Sequence, residues 1–263
     1  MDLKFICEEV CTLTRETGTF IKNEIKSLKI EDIETKGLHD FVTYVDKNSE
    51  KKIILKLQEI LPEAGYIAEE KTITKRGEIY NWIVDPLDGT TNFIHGIPCY
   101  SISIALMKEN KIILGVVYEI NLDECFYACE GSSAFLNGEI IKVSVIDKVE
   151  GALLATGFPY HDYVYLDKFM ELFVYFLKNS HGLRRFGSAA VDLVYVACGR
   201  LEGFFEYGLN PWDVAAGSFI VQQAGGKVYD FNGNDDYLFG KQIVASNNAL
   251  SDELEEIIKS VYS

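Results

Sequence analysis

The chain is poor in the features that mark several classes of protein. Lys and Arg total 25 against 40 Asp and Glu, and the formal charge of −15 argues against nucleic acid as a partner, because phosphate backbones need clustered basic side chains. No apolar run approaches the roughly 20 residues of a membrane span. The N-terminus carries alternating charges in a helical pattern in place of a signal peptide. We therefore expect a cytoplasmic protein that binds neither nucleic acid nor membrane.

Cysteine is present, but not in the spacing of a zinc site or a disulfide framework. Of six cysteines, Cys7 and Cys11 stand one helical turn apart, and Cys125 and Cys129 share a strand-like stretch. Outside a secretory context this pattern indicates reduced, buried thiols. The remaining composition predicts a folded protein, since 48% of the 263 residues are hydrophobic, enough core for one large domain or two ordinary ones.

The most informative segment is WIVDPLDGTTNF, from Trp82 to Phe93. Its first three residues form a short apolar run, which predicts a core strand that delivers Asp85 to the edge of a sheet. Asp88 follows in the turn. If a helical turn begins at Gly89 and Thr90, the first backbone N–H groups and the helix dipole can bind an anion. Carboxylates beside an anion site require cations between them, which indicates a divalent metal and a phosphate.

An alternative is that Asp-Pro-Leu-Asp-Gly is only a surface turn, because Pro and Asp-Gly are common turn formers. Two acidic positions elsewhere favour the metal site. Glu69 ends another apolar run, and Asp213 stands in a later Asn-Pro-Trp-Asp segment. With Asp85 and Asp88 they would supply the hard oxygen ligands that Mg²⁺ prefers. These motifs contain neither His nor Cys, which disfavours zinc.

Taken together, these motifs resemble the inositol monophosphatase family of magnesium-dependent phosphatases. The resemblance rests on the Asp85 motif, the Glu69-Glu70 pair and Trp-Asp-Val-Ala-Ala-Gly from Trp212, and it runs from about Lys36 to Asn248. It implies a layered αβαβα sugar-phosphatase fold of the α+β and α/β type, two or three Mg²⁺ ions, a small-molecule phosphate ester as substrate, and a homodimer.

The resemblance also implies which residues bind the metal ions. Glu69, Asp85 and the carbonyl of Leu87 would bind a first ion, and Asp85, Asp88 and Asp213 would bind a second. A third, weaker ion would lie near Glu69. One departure from the family pattern is Ala at position 68, where relatives often have Gly.

Roles in catalysis and substrate binding follow from the same resemblance. Glu69 and Thr90 would orient the attacking water, with Asp46 in support, and the phosphate would lie on the backbone amides at residues 89 and 90. The residues implied in substrate binding are Asp88, Gly89, Thr90, Ala189, Glu206 and Asp213.

Three of these residues have a purely structural alternative. Asp213 fits the third position of a helix whose N-cap is Asn210, where the helix dipole stabilises an acidic side chain. Asp46 would equally cap the helix that follows it. Glu206 could be a solvated strand end. The sequence leaves these alternatives open.

Periodicity along the chain predicts two halves, residues 1–147 and 148–263. Helical spacing predicts a first helix from Leu3 to Leu28 and a second from Lys47 to Ile60. The first half then continues as a largely antiparallel sheet that includes a type I′ hairpin turn at Asn137-Gly138. The second half alternates strands and helices, with strands near 152–155, 183–186 and 203–206 and helices near 163–178, 189–198 and 212–224.

The function we expect is hydrolysis of a phosphomonoester by direct attack of metal-activated water. Thr-Thr-Asn-Phe after the Asp-Gly pair favours myo-inositol 1-phosphate over the substrates of fructose-1,6-bisphosphatases and nucleotide 3′,5′-bisphosphate phosphatases, which share the metal ligands. An alternative of another class is a non-catalytic metal-binding or interaction protein. Residues 230–236 superficially resemble a calcium loop, but Asp235 stands where that loop needs Gly.

Overall fold

The computed structural model describes residues 1–25, 27, 33–37, 40–159 and 163–262. Within them the α-helices are α1 (Leu3–Glu24), α2 (Tyr44–Ile60), α3 (Thr90–Ile94), α4 (Leu166–Asn179), α5 (Ala189–Ala197), α6 (Pro211–Gln223) and α7 (Ser251–Tyr262). The strands are β1 (Ile33–Gly37), β2 (Asp40–Thr43), β3 (Gly65–Ala68), β4 (Tyr80–Asp88), β5 (Ser101–Lys108), β6 (Lys111–Glu119), β7 (Glu124–Cys129), β8 (Phe135–Leu136), β9 (Glu139–Ile140), β10 (Leu153–Thr156), β11 (Gly182–Arg184), β12 (Gly203–Tyr207), β13 (Lys227–Tyr229) and β14 (Gln242–Ser246).

Two sheets organise the molecule. The larger has seven strands in the order β3-β4-β5-β6-β7-β8-β9 and is antiparallel except for the parallel pair β3–β4. The smaller has five strands in the order β11-β10-β12-β14-β13, with β10 parallel to both of its neighbours. A separate antiparallel pair is formed by β1 and β2. The predicted change of pattern near residue 147 coincides with the passage from the larger sheet to the smaller.

Helices alternate with the sheets in five layers. A buried cluster joins α1 and α2 to one face of the larger sheet. A second cluster fills the other face with α5 and α6, which also pack against the smaller sheet, and a third joins that sheet to α4 and α7. The αβαβα prediction is therefore confirmed. Because the middle helices serve both sheets, the division into two structural units at residue 147 stays a prediction.

Several predicted boundaries differ from the structure. The first helix ends at Glu24, and Leu28 lies outside the described residues. The second helix begins at Tyr44, three residues before the predicted start, because the Thr43 side chain accepts a hydrogen bond from the Val45 N–H and caps the helix there.

The predicted hairpin turn is confirmed. Asn137 and Gly138 connect β8 to β9 with φ values of 49° and 95°, as a type I′ turn requires. The six cysteines are free, and Cys7, Cys125 and Cys129 are buried while the other three are half-buried. In the described part of the chain, no helix combines the length and apolar composition needed to cross a membrane.

Candidate active site

The parallel pair β3–β4 brings the first two acidic residues to one edge of the larger sheet. Ala68 lies beside Val84 in the register, so both strands run toward the same end. The N–H of Glu69 donates to the carbonyl of Val84 at 3.2 Å, which continues the pairing by one residue. Glu69, which directly follows β3, and Asp85 of β4 therefore lie at the same end of two neighbouring strands.

A β-bulge turns Asp85 and Asp88 toward the same side. Asp85 lies opposite Ser103 of β5 and Asp88 opposite Ser101, so three steps along β4 face two steps along its partner. In a regular strand, residues three apart point to opposite faces. The extra residue of the bulge brings the Asp85 and Asp88 side chains to the same face. Pro86, which has no N–H for the ladder, lies within the bulge. The strand thus continues to Asp88, three residues beyond the predicted end at Asp85.

Helix α6 supplies the third carboxylate. The backbone N–H of Asn210 donates to Oδ2 of Asp213 at 2.7 Å, in a reciprocal cap at the start of the helix. The hydroxyl of Ser103 on β5 donates to the carbonyl of Trp212 at 3.1 Å and ties this helix start to the larger sheet. The capping alternative for Asp213 is therefore correct, and the same residue also faces the other carboxylates.

Asp85, Asp88 and Asp213 each offer an oxygen within 4.8 Å of the others, although the last lies far along the chain from the first two. Asp85 is 2% exposed and Asp88 9%. Three carboxylates this close repel one another and have lost much of their hydration, so the cluster needs positive charge. An all-oxygen donor set suits Mg²⁺, and the residues therefore fit the metal that the sequence suggested.

The electrostatics of the cluster agree with this need. Burial is the largest cause of the raised pKa of Asp85, and the charges of Glu69, Asp88 and Asp213 add to it. Burial and Asp88 together raise the pKa of Asp213 to about 7. Burial also raises the pKa of Asp88, against hydrogen bonds from Ser188 and the α5 backbone that lower it.

We expect the metal-free protein to lose stability as the pH rises. Burial raises the pKa of Glu206 to about 8 and contributes to the value of about 7 for Asp213, so the folded state holds protons that the unfolded state releases near pH 4. This contribution is complete below about pH 4 and is lost as the pH passes through 7 to 8. The melting temperature in EDTA should fall between pH 5.5 and 8.5, and Mg²⁺ should raise it most at the higher pH. A melting temperature that rises with pH in EDTA, or equal effects of Mg²⁺ and Na⁺ at matched ionic strength, would contradict this expectation.

Asp88 also joins the larger sheet to helix α5. Its Oδ2 accepts hydrogen bonds from the hydroxyl of Ser188 at 2.6 Å and from the N–H of Ala190 at 2.8 Å, both at the start of α5. Ser188 is the N-cap of that helix. The carboxylate therefore accepts from a helix N-terminus, which favours its charged form.

Asp46 and Thr90 form a hydrogen-bonded pair. Oδ2 of Asp46 accepts from the N–H and hydroxyl of Thr43 at 2.7 and 2.6 Å, so the predicted cap is present. Its Oδ1 lies 2.8 Å from the hydroxyl of Thr90, which also lies 3.0 Å from the carbonyl of Leu87. Both neighbours are acceptors that share the single hydroxyl proton, so the lone pairs of the Thr90 oxygen can receive a proton donor such as water. Asp46 thus caps α2 and also fixes Thr90.

Gly89 has the conformation that its position requires. It is the N-cap of α3 with a φ of 95°, in the left-handed region. A Cβ atom there would lie 3.1 Å from the carbonyl of Cys99 and 3.2 Å from that of Gly187. The predicted helical turn is present but spans only Thr90–Ile94. For binding an anion, the backbone amides at its start would therefore contribute more than the dipole of so short a helix.

Glu69 lies outside the group of three carboxylates, although its charge raises the pKa of Asp85 more than any other charge does. The buried Glu50 of α2 fixes the segment that follows Glu69. The two carboxylate oxygens of Glu50 accept the N–H groups of Glu70 and Thr72, each at 2.8 Å, and the Thr72 hydroxyl at 2.6 Å. The sequence did not single out Glu50, because its partners lie 20 and 22 residues away.

A cavity of about 410 Å³ opens beside the carboxylates. Of the predicted residues, it is lined by Glu69, Asp88, Ala189, Glu206 and Asp213. The carboxylate of Glu206 is held against the backbone at position 157, where an added Cβ would collide with it. Glu206 is half-buried within β12 and lines the cavity, so its contact with substrate stays a prediction.

The cavity also contains residues that the sequence reading missed. Ser188, Arg185 and Asp192 line it, as do Lys71 and Phe158. Ser188 stands beside the predicted Ala189, and its position as a helix cap could have singled it out. The other four carry no local signal, since only the packing of separate segments brings them to the cavity.

Comparison with known proteins agrees with this geometry. A family model described as the inositol monophosphatase family matches residues 2–263. The chain belongs to this family. It is 40% identical over 238 residues to a protein of Pseudomonas aeruginosa named Nus factor SuhB, covering 89% of this chain and 88% of that protein. It is 38% identical over 234 residues to a Thermotoga maritima protein named fructose-1,6-bisphosphatase/inositol-1-monophosphatase. The alignment covers 89% of this chain and 88% of that protein.

The fold comparison gives the same result. The structure superimposes on a solved IMPase of Thermotoga maritima with a TM-score of 0.88 and 36% identity, covering 100% of this chain and 98% of that one. The family match extends past the Lys36–Asn248 range of the motif resemblance and includes α1. Membership of a phosphatase family and its layered fold are thus established for this chain.

Proposed function

We propose that this protein is a Mg²⁺-dependent phosphomonoesterase. The observation that carries the proposal is the meeting of the Asp85, Asp88 and Asp213 carboxylates, one oxygen of each within 4.8 Å of the others, beside a cavity that Asp88 and Asp213 line and that is large enough for a small ester. Glu69 and the Leu87 carbonyl complete the proposed ligand set for two or three ions. When bound, Mg²⁺ supplies a Lewis acid for the phosphoryl oxygens and lowers the pKa of a coordinated water.

The chain's own residues position the reactants. We assign Glu69 and Thr90 to holding the attacking water in line with the bond that breaks, with Thr90 held in place by Asp46 at 2.8 Å. The amides of Gly89 and Thr90 are assigned to the phosphoryl oxygens. No side chain in this scheme becomes phosphorylated, because water attacks the phosphorus directly.

The leaving alcohol is assigned to the far wall of the cavity. Glu206 and Ala189 line the cavity together with Asp88 and Asp213, and we assign the contacts with the alcohol to these four residues. A carboxylate accepts hydrogen bonds from hydroxyls and repels a second phosphate, so Glu206 favours a polyol leaving group. We therefore propose myo-inositol 1-phosphate as the substrate.

Two other esters and a second class of function remain as alternatives. The Thermotoga maritima relative is named for activity on fructose 1,6-bisphosphate as well as inositol 1-phosphate, and a nucleotide 3′,5′-bisphosphate is the third candidate ester. Relatives such as that of Pseudomonas aeruginosa are named Nus factors, so a binding role in place of catalysis is the competing proposal. A homodimer, a cytoplasmic location and the absence of nucleic-acid binding stay expectations.

The deciding experiment compares phosphate release from myo-inositol 1-phosphate, fructose 1,6-bisphosphate and adenosine 3′,5′-bisphosphate at saturating Mg²⁺. We expect the highest kcat/KM for the inositol ester, loss of activity in EDTA and recovery on adding Mg²⁺. A preference for either bisphosphate would refute the substrate but keep the reaction. No release from any ester by correctly folded protein would favour a binding role.

A further inference from the structure

Asp192 is a buried acidic residue to which the proposed chemistry gives no role. It lies in the first turn of α5, three residues after Ala189, and positions three apart share one side of a helix. Ser188, Ala189 and Asp192 all line the cavity. One side of the start of α5 therefore forms part of the cavity wall, and Asp192 is the acidic residue on it.

The Asp192 carboxyl has no hydrogen-bond partner among the residues that the structure describes. The residue is 1% exposed, and its Oδ1 is both enclosed and unpaired. Buried polar groups in folded proteins are nearly always hydrogen-bonded, because an unpaired one loses its hydration without compensation. An unpaired carboxyl at the wall of a substrate cavity indicates a partner that arrives with the ligand.

The charges around Asp192 restrict what that ligand is. Burial is the largest cause of its strongly raised pKa, and Glu206 and Asp88 raise the pKa further while Arg185 lowers it. The guanidinium of Arg185 lies 5.4 Å from the centre of the Phe158 ring. One cation among three carboxyls leaves this wall unfavourable for an anion.

We propose that Asp192 is a substrate-binding residue whose carboxyl pairs with one hydroxyl of a polyol leaving group while Glu206 binds another. This inference rests on the proposed phosphatase function and narrows its substrate class to esters with at least two hydroxyls on the leaving group. A hydroxyl both donates and accepts, so it satisfies the Asp192 carboxyl whether that group is protonated or ionised. An aryl phosphate offers no such group.

The test compares two substrates in three variants at saturating Mg²⁺. Asp192→Leu removes both oxygens and keeps the branching at the γ carbon in a larger side chain, and Asp192→Asn keeps the size and offers an amide donor and acceptor. Asp167→Asn, an exposed acid in the first turn of α4, is the matched control. For Asp192→Leu we expect KM for myo-inositol 1-phosphate to rise about tenfold, as for the loss of one hydrogen bond, and kcat/KM for 4-nitrophenyl phosphate to change less than about twofold. Asp167→Asn should match the wild type on both esters.

Four results would overturn the inference. Equal losses on the two esters would assign Asp192 a structural role, and an unchanged KM for the inositol ester in Asp192→Leu would exclude the contact. If Asp192→Leu does not fold, Asp192→Asn decides, with a rise in KM of about threefold confined to the polyol ester expected. Wild-type protein that hydrolyses 4-nitrophenyl phosphate but no polyol phosphate would refute the role of Asp192 and the proposed substrate, but not the proposed phosphomonoesterase reaction. Wild-type protein inactive on both esters would refute the proposed function as well.

Discussion

Replacing Asp88 by Asn is expected to lower Mg²⁺-dependent turnover by about 10³-fold, because the variant loses one of the three converging carboxylates. Metal ions contribute several kcal/mol to stabilising a phosphoryl transition state, and about 4 kcal/mol corresponds to a thousandfold change in rate. The measurement is kcat at saturating substrate over a range of Mg²⁺ concentrations.

The same variant should keep or raise the stability of the metal-free protein. An Asn oxygen can still accept the hydrogen bonds that Ser188 and Ala190 donate to Asp88, while one charge leaves a crowded, buried acidic cluster. Asp230→Asn is the matched control. Asp230 is 8% exposed, accepts two backbone N–H groups at 2.8 Å and does not line the cavity, so its replacement should leave kcat unchanged. An Asp88→Asn enzyme within tenfold of the wild type would refute the assignment of Asp88 to a metal.

Replacing Gly89 by Ala is expected to lower kcat/KM by about 10²-fold. The added Cβ meets a backbone carbonyl at 3.1 Å and another at 3.2 Å, and the φ of 95° strains any residue with a side chain. The turn must then shift the amides assigned to the phosphate, and a displacement near 1 Å at a reacting group costs about 10²-fold. The measurement is kcat/KM for phosphate release at saturating Mg²⁺.

Gly96→Ala separates displacement of the amides from general strain. Gly96 has a φ of 68° and follows α3 closely in the chain, but a Cβ atom there meets nothing within 4 Å. Replacing Gly96 by Ala causes a similar backbone strain without the collision. We therefore expect a loss of stability, with kcat/KM within about threefold of the wild type. Equal activities for the Gly89 and Gly96 variants would show that the amides at residues 89 and 90 do not need their observed position.

The local elements of this protein could be read from short stretches of sequence. Asn137-Gly138 predicted its hairpin because few other residue pairs adopt a positive φ at both positions. The Asp85 motif predicted a strand, a turn and a short helix in that order, and the structure contains them as β4 and α3. The capping roles of Asp46 and Asp213 were also visible, since each depends on residues only three positions away.

The geometry of the site could not be predicted from local sequence patterns alone. Motif resemblance named Asp213 as a partner of Asp85 and Asp88, but nothing in the spacing of these residues stated that their oxygens would meet. That meeting depends on the bulge around Pro86 and on the contact between Ser103 and the start of α6. Glu50 and Asp192 were missed because their surroundings come from segments distant in the chain.

The sequence alone determined which side chains were available and which local turns and helices would present them, because those choices depend on neighbours a few residues apart. Only the tertiary structure decided which carboxyl groups lost their water and faced one another. Burial and mutual repulsion arise when the layers pack, and these two effects raise the pKa values of Asp85 and Asp213 and create the demand for a cation.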